Sequence, residues 1–385
     1  MAPEVPIVDI HTHMYPPSYI SLLSSRDTLP LIRTFPSSPF PRLILLESEL
    51  PALEAALTDP SAPLPGRPLT THFTSLPAKL SFMRTHGITT SVLSLANPWL
   101  DFLPAAEAGS VAEEINASFE AMCSSSQQDK AGRLYFFASL PLTALLETIL
   151  SSINHISSLR HCRGIILGTS GLGSGLDDSA MLPILASLAA ADLPVFLHPH
   201  YGLPNSVYGP RAGEYGHVLP LALGFPMETT IAVARMYLAG VFDAVPALRM
   251  VLAHAGGTLP FLAGRVESCL RHDEKLVEED KVQGRRKRSV WEVLREQVYL
   301  DAVVYSEVGL RAAVEAAGGA ERLMFGTDHP FFPPVGEGSD KEGEWESVRL
   351  NVEAVKKALG EGSEEAKMVM GGNAVRVLRL YEEEA

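Results

Sequence analysis

The stretch IVDIHTH, residues 7–13, carries an apolar, β-branched run directly into a pair of histidines. Such residues favour extended backbone, and the run therefore predicts a β-strand. Because residues i and i+2 of a strand point to the same side, His11 and His13 would direct two imidazole rings towards one point. Neutral imidazoles bind borderline-soft divalent metals such as zinc, so the pair predicts part of a metal site.

Three further apolar runs end in side chains that can bind a metal. They are LPVFLHPH (193–200), RMVLAHAGG (249–257) and LMFGTDHP (323–330). The first two place His198 and His254 at the carboxyl end of a predicted strand, and the third places Asp328 there. A random arrangement of 12 histidines would seldom produce this repetition. We therefore predict one metal site that is built from the ends of several strands.

The predicted ligands of this site are His11, His13, His198 and Asp328. Zinc accepts three nitrogens and one oxygen, and this set leaves a position for water or substrate. His254 then remains as a general acid or base, or as an electrophilic partner near the open position. His200 could line the same site, whereas we expect His329 to point away from it.

Four more apolar runs fall between the first four. They are TSVLSLA (90–96), LYFFASL (134–140), RGIILG (163–168) and VYLDAVVY (298–305). Stretches with helical periodicity separate many of the runs, namely 111–123, 179–191, 229–238 and 308–317. Near-continuous apolar strands that alternate with helices predict a parallel sheet covered by helices.

Eight such strand–helix units predict an α/β fold, a single (β/α)8 TIM barrel with insertions after the first and fifth strands. The ligands would then lie on strands one, five and eight, with His254 on strand six, all at the carboxyl rim where barrel active sites are found. An open doubly wound sheet is the alternative. It would not bring these four strands to one point, whereas closure makes the first and eighth strands neighbours.

The length of 385 residues fits one barrel domain that spans residues 1–385 and carries insertions. Two segments exceed the usual length of a loop. Residues 14–82 are rich in Pro and Ser, and residues 201–226 follow the fifth strand. Both leave the predicted rim. We interpret both as a lid or small insert over the site rather than as separate domains, with residues 14–82 as the lid or small subregion.

Composition excludes several classes of function. The 31 basic and 45 acidic residues give a net charge of −14, which argues against nucleic acid or an anionic membrane as the main partner. The three cysteines are odd in number and widely spaced, which fits a reducing compartment better than a disulfide framework. No leader-like segment and no run of about 18 apolar residues is present. We therefore expect a soluble, cytoplasmic protein.

Taken together, these motifs resemble the amidohydrolase superfamily, and within it the decarboxylase branch. That branch includes the aminocarboxymuconate semialdehyde decarboxylases and the resorcylate decarboxylases. The motifs that carry the resemblance are HTH (11–13), HP (198–199), HAGG (254–257), PF (260–261), GR (264–265), GTDHP (326–330) and GNA (372–374). They span nearly the whole chain.

Longer segments are similar to the fungal isoorotate (5-carboxyuracil) decarboxylases within that branch. They are VDIHTHMYPPSYI (8–20), LPGRPL (64–69), SLANPW (94–99), RGIILGTSGLG (163–173), FLHPHYGLPN (196–205) and MFGTDHPFFPP (324–334). The resemblance implies a metal-dependent, non-oxidative decarboxylase that converts 5-carboxyuracil to uracil and CO2 in pyrimidine salvage. Protonation of C5 before CO2 leaves would avoid an sp2 carbanion that the ring cannot stabilise.

The resemblance also implies roles for particular residues. Binuclear relatives bridge two metals through a carboxylated lysine on the fourth strand, whereas that strand ends here in Gly168-Thr169-Ser170, so one zinc per chain is expected. Arg265 matches an arginine that this branch inserts into the neighbouring subunit's site, which implies a homodimer. The substrate-binding residues would be Arg67, Asn97, Arg265 and Phe331. The catalytic residues would be Asp328 and His254.

Several alternatives remain open from the sequence. The proton could come from Asp328, or from His254 through water. The same metal ligands would serve a decarboxylase of a salicylate, a resorcylate or a muconate semialdehyde. They would also serve a mononuclear metal hydrolase or deaminase, in which a metal-bound hydroxide attacks the substrate.

Overall fold

The computed structural model describes residues 6–126, 133–276, 278, 288–334 and 343–381. Two sheets are present in this part of the chain, one of eight strands and one of three. The strands are β1 (Val8–His13), β2 (Leu31–Arg33), β3 (Arg42–Ile44), β4 (Arg67–Pro68), β5 (Thr90–Ser94), β6 (Arg133–Ser139), β7 (Cys162–Gly168), β8 (Val195–His198), β9 (Met250–Leu252), β10 (Val298–Asp301) and β11 (Leu323–Met324).

The eight-stranded sheet is parallel and follows the order β1-β5-β6-β7-β8-β9-β10-β11. Its two ends meet, because the Ile10 N–H donates to the Phe325 carbonyl at 3.1 Å and the Asp328 N–H donates to the His11 carbonyl at 2.7 Å. The sheet is therefore the predicted (β/α)8 barrel. This closure excludes the open doubly wound sheet.

Helices alternate with the barrel strands and cover them. The helices are α1 (Pro17–Ser24), α2 (Leu50–Thr58), α3 (Thr71–Thr74), α4 (Leu76–Thr85), α5 (Ala105–Ser126), α6 (Leu146–Ser157), α7 (Leu182–Ala190), α8 (Phe225–Leu238), α9 (Val241–Ala244), α10 (Leu259–His272), α11 (Val290–Glu296), α12 (Glu307–Ala317), α13 (Glu346–Leu359), α14 (Glu364–Lys367) and α15 (Asn373–Val377). Local signals set their ends: in α12, the Ser306 side chain accepts from the Val308 N–H, and Gly318 closes the helix in the left-handed conformation.

The core fills the barrel and the layer between strands and helices. On β6, successive side chains pack in different parts of the core. Phe136 packs against the helix layer, where it stacks on Phe119 of α5 with ring centroids 5.7 Å apart. Phe137 packs inside the barrel, where its ring centroid lies 5.3 Å from that of Phe196 of β8. Strands buried on both faces explain why the sequence shows near-continuous apolar runs rather than alternation.

The segment between β1 and β5 contains elements that the sequence did not predict. Its antiparallel sheet of β2, β3 and β4 encloses a small second core of Leu31, Phe35, Ile44, Leu53 and Ala56. The segment is tied to the carboxyl rim of the barrel, because the Tyr15 hydroxyl donates to the Asn97 carbonyl and the Tyr19 hydroxyl donates to the Trp99 carbonyl, both at 2.7 Å. That residues 14–82 act as a lid stays a prediction.

Residues 201–226 form short helical turns rather than a structureless loop, at Asn205–Tyr208, Ala212–Tyr215 and Pro220–Gly224. Several apolar side chains of this segment face outwards, among them Val218, which is 65% exposed, and Leu223, which is 52% exposed. Throughout the described ranges, none of the helices combines the length and the apolar run that a bilayer span requires.

Candidate metal centre

Four buried side chains converge at the carboxyl rim of the barrel. They are His11, His13, His198 and Asp328, and their candidate ligand atoms all lie within 4.8 Å of one another. The two histidines of β1 reach the cluster from one strand, the third comes from the end of β8, and the aspartate follows β11. The structure thus brings together the four residues that the sequence singled out as ligands.

Each of the three histidines is oriented through its Nδ1 atom. The Nδ1–H of His11 donates to Asp301 Oδ2 at 2.5 Å, that of His13 lies 2.9 Å from Ser94 Oγ, and that of His198 lies 2.8 Å from the Pro199 carbonyl. These bonds fix the tautomer and leave Nε2 for a ligand, as is usual for metal-binding histidines. The buried Nε2 atoms of His11 and His13 have no hydrogen-bond partner among the described residues.

Electrostatics favours a cation at this point. Burial lowers the pKa of His13 to about 4, and it holds the pKa of His198 well below its usual value, so both rings are neutral. Burial alone would raise the pKa of Asp328, but His11 and the other imidazoles close to its carboxylate hold it well below its usual range. Burial likewise opposes protonation of His11, yet Asp328 and Asp301 raise its pKa to about 10.

The donor set fits a metal ion. His13 and His198 are already neutral and Asp328 is already ionised, so these three residues could bind a metal without losing a proton. A dication would replace only the proton that His11 holds between Asp328 and Asp301. Unpartnered, buried ring nitrogens are costly unless something binds them. The residues therefore support a single divalent metal held by three histidines and one aspartate. Its identity as zinc stays a prediction.

Asp301 belongs to this centre, and the sequence analysis missed it. Its carboxylate accepts from His11 Nδ1, from the His254 N–H at 3.0 Å and from the Ala255 N–H at 2.8 Å. The predicted seventh strand ran to Tyr305, which placed Asp301 in its interior. The observed strand β10 ends at Asp301. The other ligands were predicted because each is a polar residue at the carboxyl end of an apolar run. The same rule would have predicted Asp301 if the end of the strand had been predicted correctly.

His254 lies beside the four-residue cluster but outside it. Its Nε2 is 3.5 Å from Asp328 Oδ2, and its ring centroid is 5.0 Å from that of His11 and 5.3 Å from that of His198. Its backbone has a φ of 54°, an uncommon value for a residue with a side chain. The bonds of the His254 and Ala255 N–H groups to Asp301 hold this conformation. The position suits a proton donor or acceptor next to the metal.

Three of the predicted substrate residues lie together near the cluster. The Arg67 guanidinium is 4.8 Å from the ring centroid of Phe331, which in turn lies 5.5 Å from the ring of His13. Arg67 also donates to the Tyr15 hydroxyl, and its buried Nε has no acceptor among the described residues. The Asn97 side chain donates to the His200 carbonyl at 2.6 Å. A cation and an aromatic ring therefore flank the metal cluster on one side.

Arg265, the fourth predicted substrate residue, lies apart from this group. It is exposed on α10, the helix that begins five residues after His254. Within the described ranges, no hydrogen bond or ion pair ties Arg265 to its own chain. Phe261, one turn earlier on the same helix face, is 86% exposed.

The two histidines next to the predicted ligands lie outside the cluster. The ring of His200 lies 4.9 Å from that of Trp99, and its Nδ1 lies 2.9 Å from Ser170 Oγ. His329 stacks on Phe82 with ring centroids 3.7 Å apart. Neither ring belongs to the four-ligand group.

A fully buried lysine links two of the three ligand-bearing segments of the barrel. Lys79 of α4 donates through Nζ to His329 Nδ1 at 2.5 Å and to the hydroxyl of Thr12. Thr12 separates the ligands His11 and His13, and His329 follows the ligand Asp328. The same Thr12 hydroxyl donates to the His329 carbonyl at 3.1 Å. Lys79 thus positions the segments that contain Thr12 and His329 without contacting the four candidate ligands.

We expect Lys79→Met, which keeps most of the side-chain volume, to weaken metal binding by about 10-fold, the lower end of what loss of outer-shell partners costs. The measurement is the rate at which a chelator removes metal from the folded protein, with folding checked by circular dichroism. Lys367→Met is the control, because Lys367 is an exposed residue that bonds only Glu364 through its side chain in the described structure. Equal rates for both variants would show that Lys79 merely packs.

Comparison with known proteins adds to this geometry. The family model described as Amidohydrolase matches residues 8–380. The apo crystal structure of IDCase from Metarhizium anisopliae is 66% identical, covers 98% of each chain and superposes with a TM-score of 0.92. The 2-amino-3-carboxymuconate-6-semialdehyde decarboxylase of Dictyostelium discoideum is 30% identical over 237 residues, which are 58% of this chain and 57% of that protein.

A more distant structure shares the fold alone. The 5-carboxyvanillate decarboxylase of Novosphingobium aromaticivorans, solved with bound manganese, is 19% identical, with a TM-score of 0.69 over 98% of this chain and 97% of that one. The family match and the closer relatives confirm the resemblance that the HTH, HAGG and GTDHP motifs indicated.

Proposed function

Since this chain belongs to the amidohydrolase family, we propose that it is a metal-dependent, non-oxidative decarboxylase that converts 5-carboxyuracil (isoorotate) to uracil and CO2. The observation that carries the proposal is the pairing of the four-ligand cluster with Arg67 and Phe331 at its side. The 66% identity to IDCase, an isoorotate decarboxylase, over nearly the whole chain supports the choice of substrate.

The side chains beside the cluster suit a planar, anionic substrate. Arg67 offers a planar guanidinium that can form two parallel hydrogen bonds to a carboxylate or to the polar edge of a uracil ring. Phe331 offers an aromatic face between Arg67 and His13. Asn97, fixed by its bond to the His200 carbonyl, forms part of the same wall.

The reaction needs a proton at C5 and release of the carboxyl group. A divalent ion held by His11, His13, His198 and Asp328 would polarise substrate oxygens and stabilise negative charge that develops on them. A proton is added to C5, the bond from C5 to the carboxylate then breaks, and its electron pair returns to the ring as CO2 leaves. The balance is redox-neutral.

We propose that Asp328 and His254 deliver that proton together, with the Asp328 carboxylate, ionised in the resting site, taking up a proton before it can donate one. The 3.5 Å between His254 Nε2 and Asp328 Oδ2 lets one group supply the proton and the other replenish it. Asp301 holds His254 through its backbone N–H and so keeps the imidazole at this place. A carboxylate held next to an imidazole in this way is a common proton-transfer unit.

The test is a substrate panel with chromatography of the products. Purified protein should release CO2 and uracil from 5-carboxyuracil, and it should act much more slowly on orotate, 2,6-dihydroxybenzoate and 6-methylsalicylate. Release of CO2 only from a benzoate would identify a decarboxylase of another substrate. Ammonia or a ring-opened product would instead identify a hydrolase or deaminase.

We further propose one zinc ion per chain. Three nitrogen donors and one carboxylate suit zinc, while manganese is bound by the distant 5-carboxyvanillate decarboxylase. Elemental analysis of protein purified without added metal should give close to one zinc per chain. Two metals per chain, or none in active protein, would contradict the single-zinc assignment.

The wider setting follows from the proposed reaction. We propose that the enzyme acts in pyrimidine salvage, because its product would be uracil, and that it is cytoplasmic, because its three widely spaced cysteines fit a reducing compartment. Residues 1–385 would form one barrel domain, with residues 14–82 as a lid over the site. The contacts of Tyr15 and Tyr19 with the rim support this arrangement.

We also propose that the enzyme is a homodimer in which Arg265 reaches the neighbouring site. An arginine on an exposed helix face beside the 86%-exposed Phe261 suits a subunit interface. Exposed apolar side chains of the segment after β8, such as Val218 and Leu223, extend the apolar surface of this molecule. Exposed large apolar side chains such as these are what a subunit interface would cover.

Mixing two inactive variants tests the shared site. In a mixed dimer of Arg265→Ala and His254→Ala, one site carries both defects and the other carries neither. Equal mixing with random exchange should therefore restore about one quarter of wild-type activity per site. If activity stays at the level of the single variants although exchange is demonstrated independently, Arg265 serves its own chain or only packs.

A further inference from the structure

A second cavity lies on the face of the barrel opposite the metal cluster. Its volume is about 490 Å³, and it is lined at the amino-terminal ends of β6 and β7 and in the turn before β8. The last described part of the chain, residues 377–381, contributes another wall. We call this cavity the arginine pocket because four arginines line it: Arg133, Arg160, Arg163 and Arg379.

The charge of this pocket is opposite to that of the chain as a whole. The protein carries a net charge of −14, yet Asp192 is the one carboxylate among the described residues that line the pocket. Asp192 is already shared by two arginines, because it accepts from Arg249 and, at 2.6 Å, from Arg379. Among the described residues, no carboxylate pairs with Arg133, Arg160 or Arg163. The pocket therefore concentrates positive charge that the described part of the chain leaves uncompensated.

Two of the four arginines of the pocket, Arg163 and Arg133, are held in place. Arg163 donates through Nη1 to the carbonyls of Arg160, at 2.8 Å, and Cys162, at 2.7 Å, and its guanidinium lies 4.5 Å from the ring centroid of Tyr135. The guanidinium of Arg133 lies 4.9 Å from the ring centroid of Tyr381. The Arg163 Nε is buried without an acceptor among the described residues. Side chains ordered in advance lose little entropy when a ligand binds.

We propose that the arginine pocket binds an organic phosphate of the size of a nucleoside monophosphate. A guanidinium matches the geometry of phosphate oxygens, and several guanidinium groups around one concave space are typical of phosphate sites. The volume falls within the range of small-molecule pockets, and the half-buried ring of Tyr381 supplies aromatic surface next to the charges.

The position of the pocket predicts the effect of such a ligand. Catalysis in barrels of this kind takes place at the carboxyl rim, so a ligand at the amino-terminal face is not a substrate. It would contact β6, β7 and the segment that ends at Tyr381, and it would relieve repulsion among the arginines. Since it binds the folded protein alone, it stabilises the fold by mass action.

The experiment measures binding to the full-length, metal-loaded protein at constant ionic strength. The probes are AMP, inorganic pyrophosphate and the uncharged nucleoside adenosine, followed by calorimetry and by the shift of the melting temperature. We expect saturable binding of AMP and pyrophosphate with a higher Tm, and no shift with adenosine. Binding of pyrophosphate without AMP would reduce the site to one for small inorganic anions and overturn the assignment of an organic phosphate.

Arg160→Glu is the decisive variant, because Arg160 is exposed and its side chain makes no hydrogen bond or ion pair within the described ranges. It should weaken AMP binding by about 10-fold or more, the cost of losing one charged hydrogen bond. Arg84→Glu is the matched control: Arg84 is equally exposed but lies on α4, outside the pocket. Equal weakening in both variants would mean that AMP responds to net charge alone, and the pocket would not be a site.

A truncated protein tests whether the acidic residues after Tyr381 compete with the ligand for the arginines. The sequence after Tyr381 is Glu-Glu-Glu-Ala. Removal of residues 382–385 should leave AMP binding within a factor of about two of the full-length value. If AMP binds only to the truncated protein, these carboxylates compete for the arginines, and the proposed ligand site does not exist in the natural chain.

Discussion

Asp328→Asn should leave a folded protein whose kcat is lower by about 10³-fold or more. Asparagine has nearly the same shape, but it is neutral and cannot deliver a proton from a carboxyl group. In the structure, Asp328 lies within 3.3 Å of His11 Nε2 and within 3.6 Å of His13 Nε2, and Oδ2 lies 3.5 Å from His254. One substitution would therefore remove both the negative charge of the candidate metal centre and the proposed proton donor.

Measuring the metal content distinguishes the proposed role of Asp328 as a metal ligand from its proposed role as a proton donor. Asp328→Ala removes the ligand atom altogether and should lose the metal, whereas Asp328→Asn should retain part of it and still be inactive. Asp243→Asn is the control, because Asp243 pairs with Arg288 at the other side of the structure. If Asp328→Asn kept both metal and substantial activity, the carboxylate would be neither a required ligand nor the proton donor.

The second large effect is expected from His254→Ala. Loss of a positioned acid or base costs roughly 10² to 10⁴ in rate, and kcat should fall by at least about 10²-fold. The metal should stay, because His254 lies beside the ligand group rather than in it. The measurement combines kcat with elemental analysis of the same sample.

His272→Ala is the control for this variant, because His272 is an exposed histidine at the end of α10. Its substitution should change neither the metal content nor kcat. If His254→Ala protein loses metal together with activity, His254 is a ligand, and the assignment of the fourth position to Asp328 must be revised.

The barrel and its ligands were predictable because both follow from local patterns. Each barrel strand is buried on two faces and therefore reads as an apolar run, as in the VFLH of β8. In a closed parallel barrel, the carboxyl ends of all strands meet at one rim. Any ligand that follows such a run is thereby placed near the others, which is why His11, His198 and Asp328 could be grouped from the sequence.

Other parts of the site left no such pattern. Asp301 interrupts the run VYLDAVVY, and nothing local shows that β10 stops there rather than at Tyr305. Lys79 lies in a helix with little apolar periodicity, and a lysine on a helix is normally assigned to the solvent. Its full burial depends on His329 and Thr12, which are distant in sequence. Long-range partners of this kind are not visible in a single sequence.

The small sheet of β2, β3 and β4 escaped prediction for a different reason. Its strands have only two or three residues, and they lie among prolines and arginines such as Arg42 and Pro68. Strands this short provide no alternation to count. Their pairing depends on contacts with one another rather than on intrinsic preference.

The seam of the barrel gives the metal centre a place in the order of assembly. His11 and His13 lie on β1, the first of the described strands along the chain, and Asp328 follows β11, the last of them. The complete ligand set therefore exists only after the two ends of the sheet have met. A metal that binds all four residues would hold the two ends of the sheet together. Its binding would therefore indicate that the barrel of a newly made chain has closed.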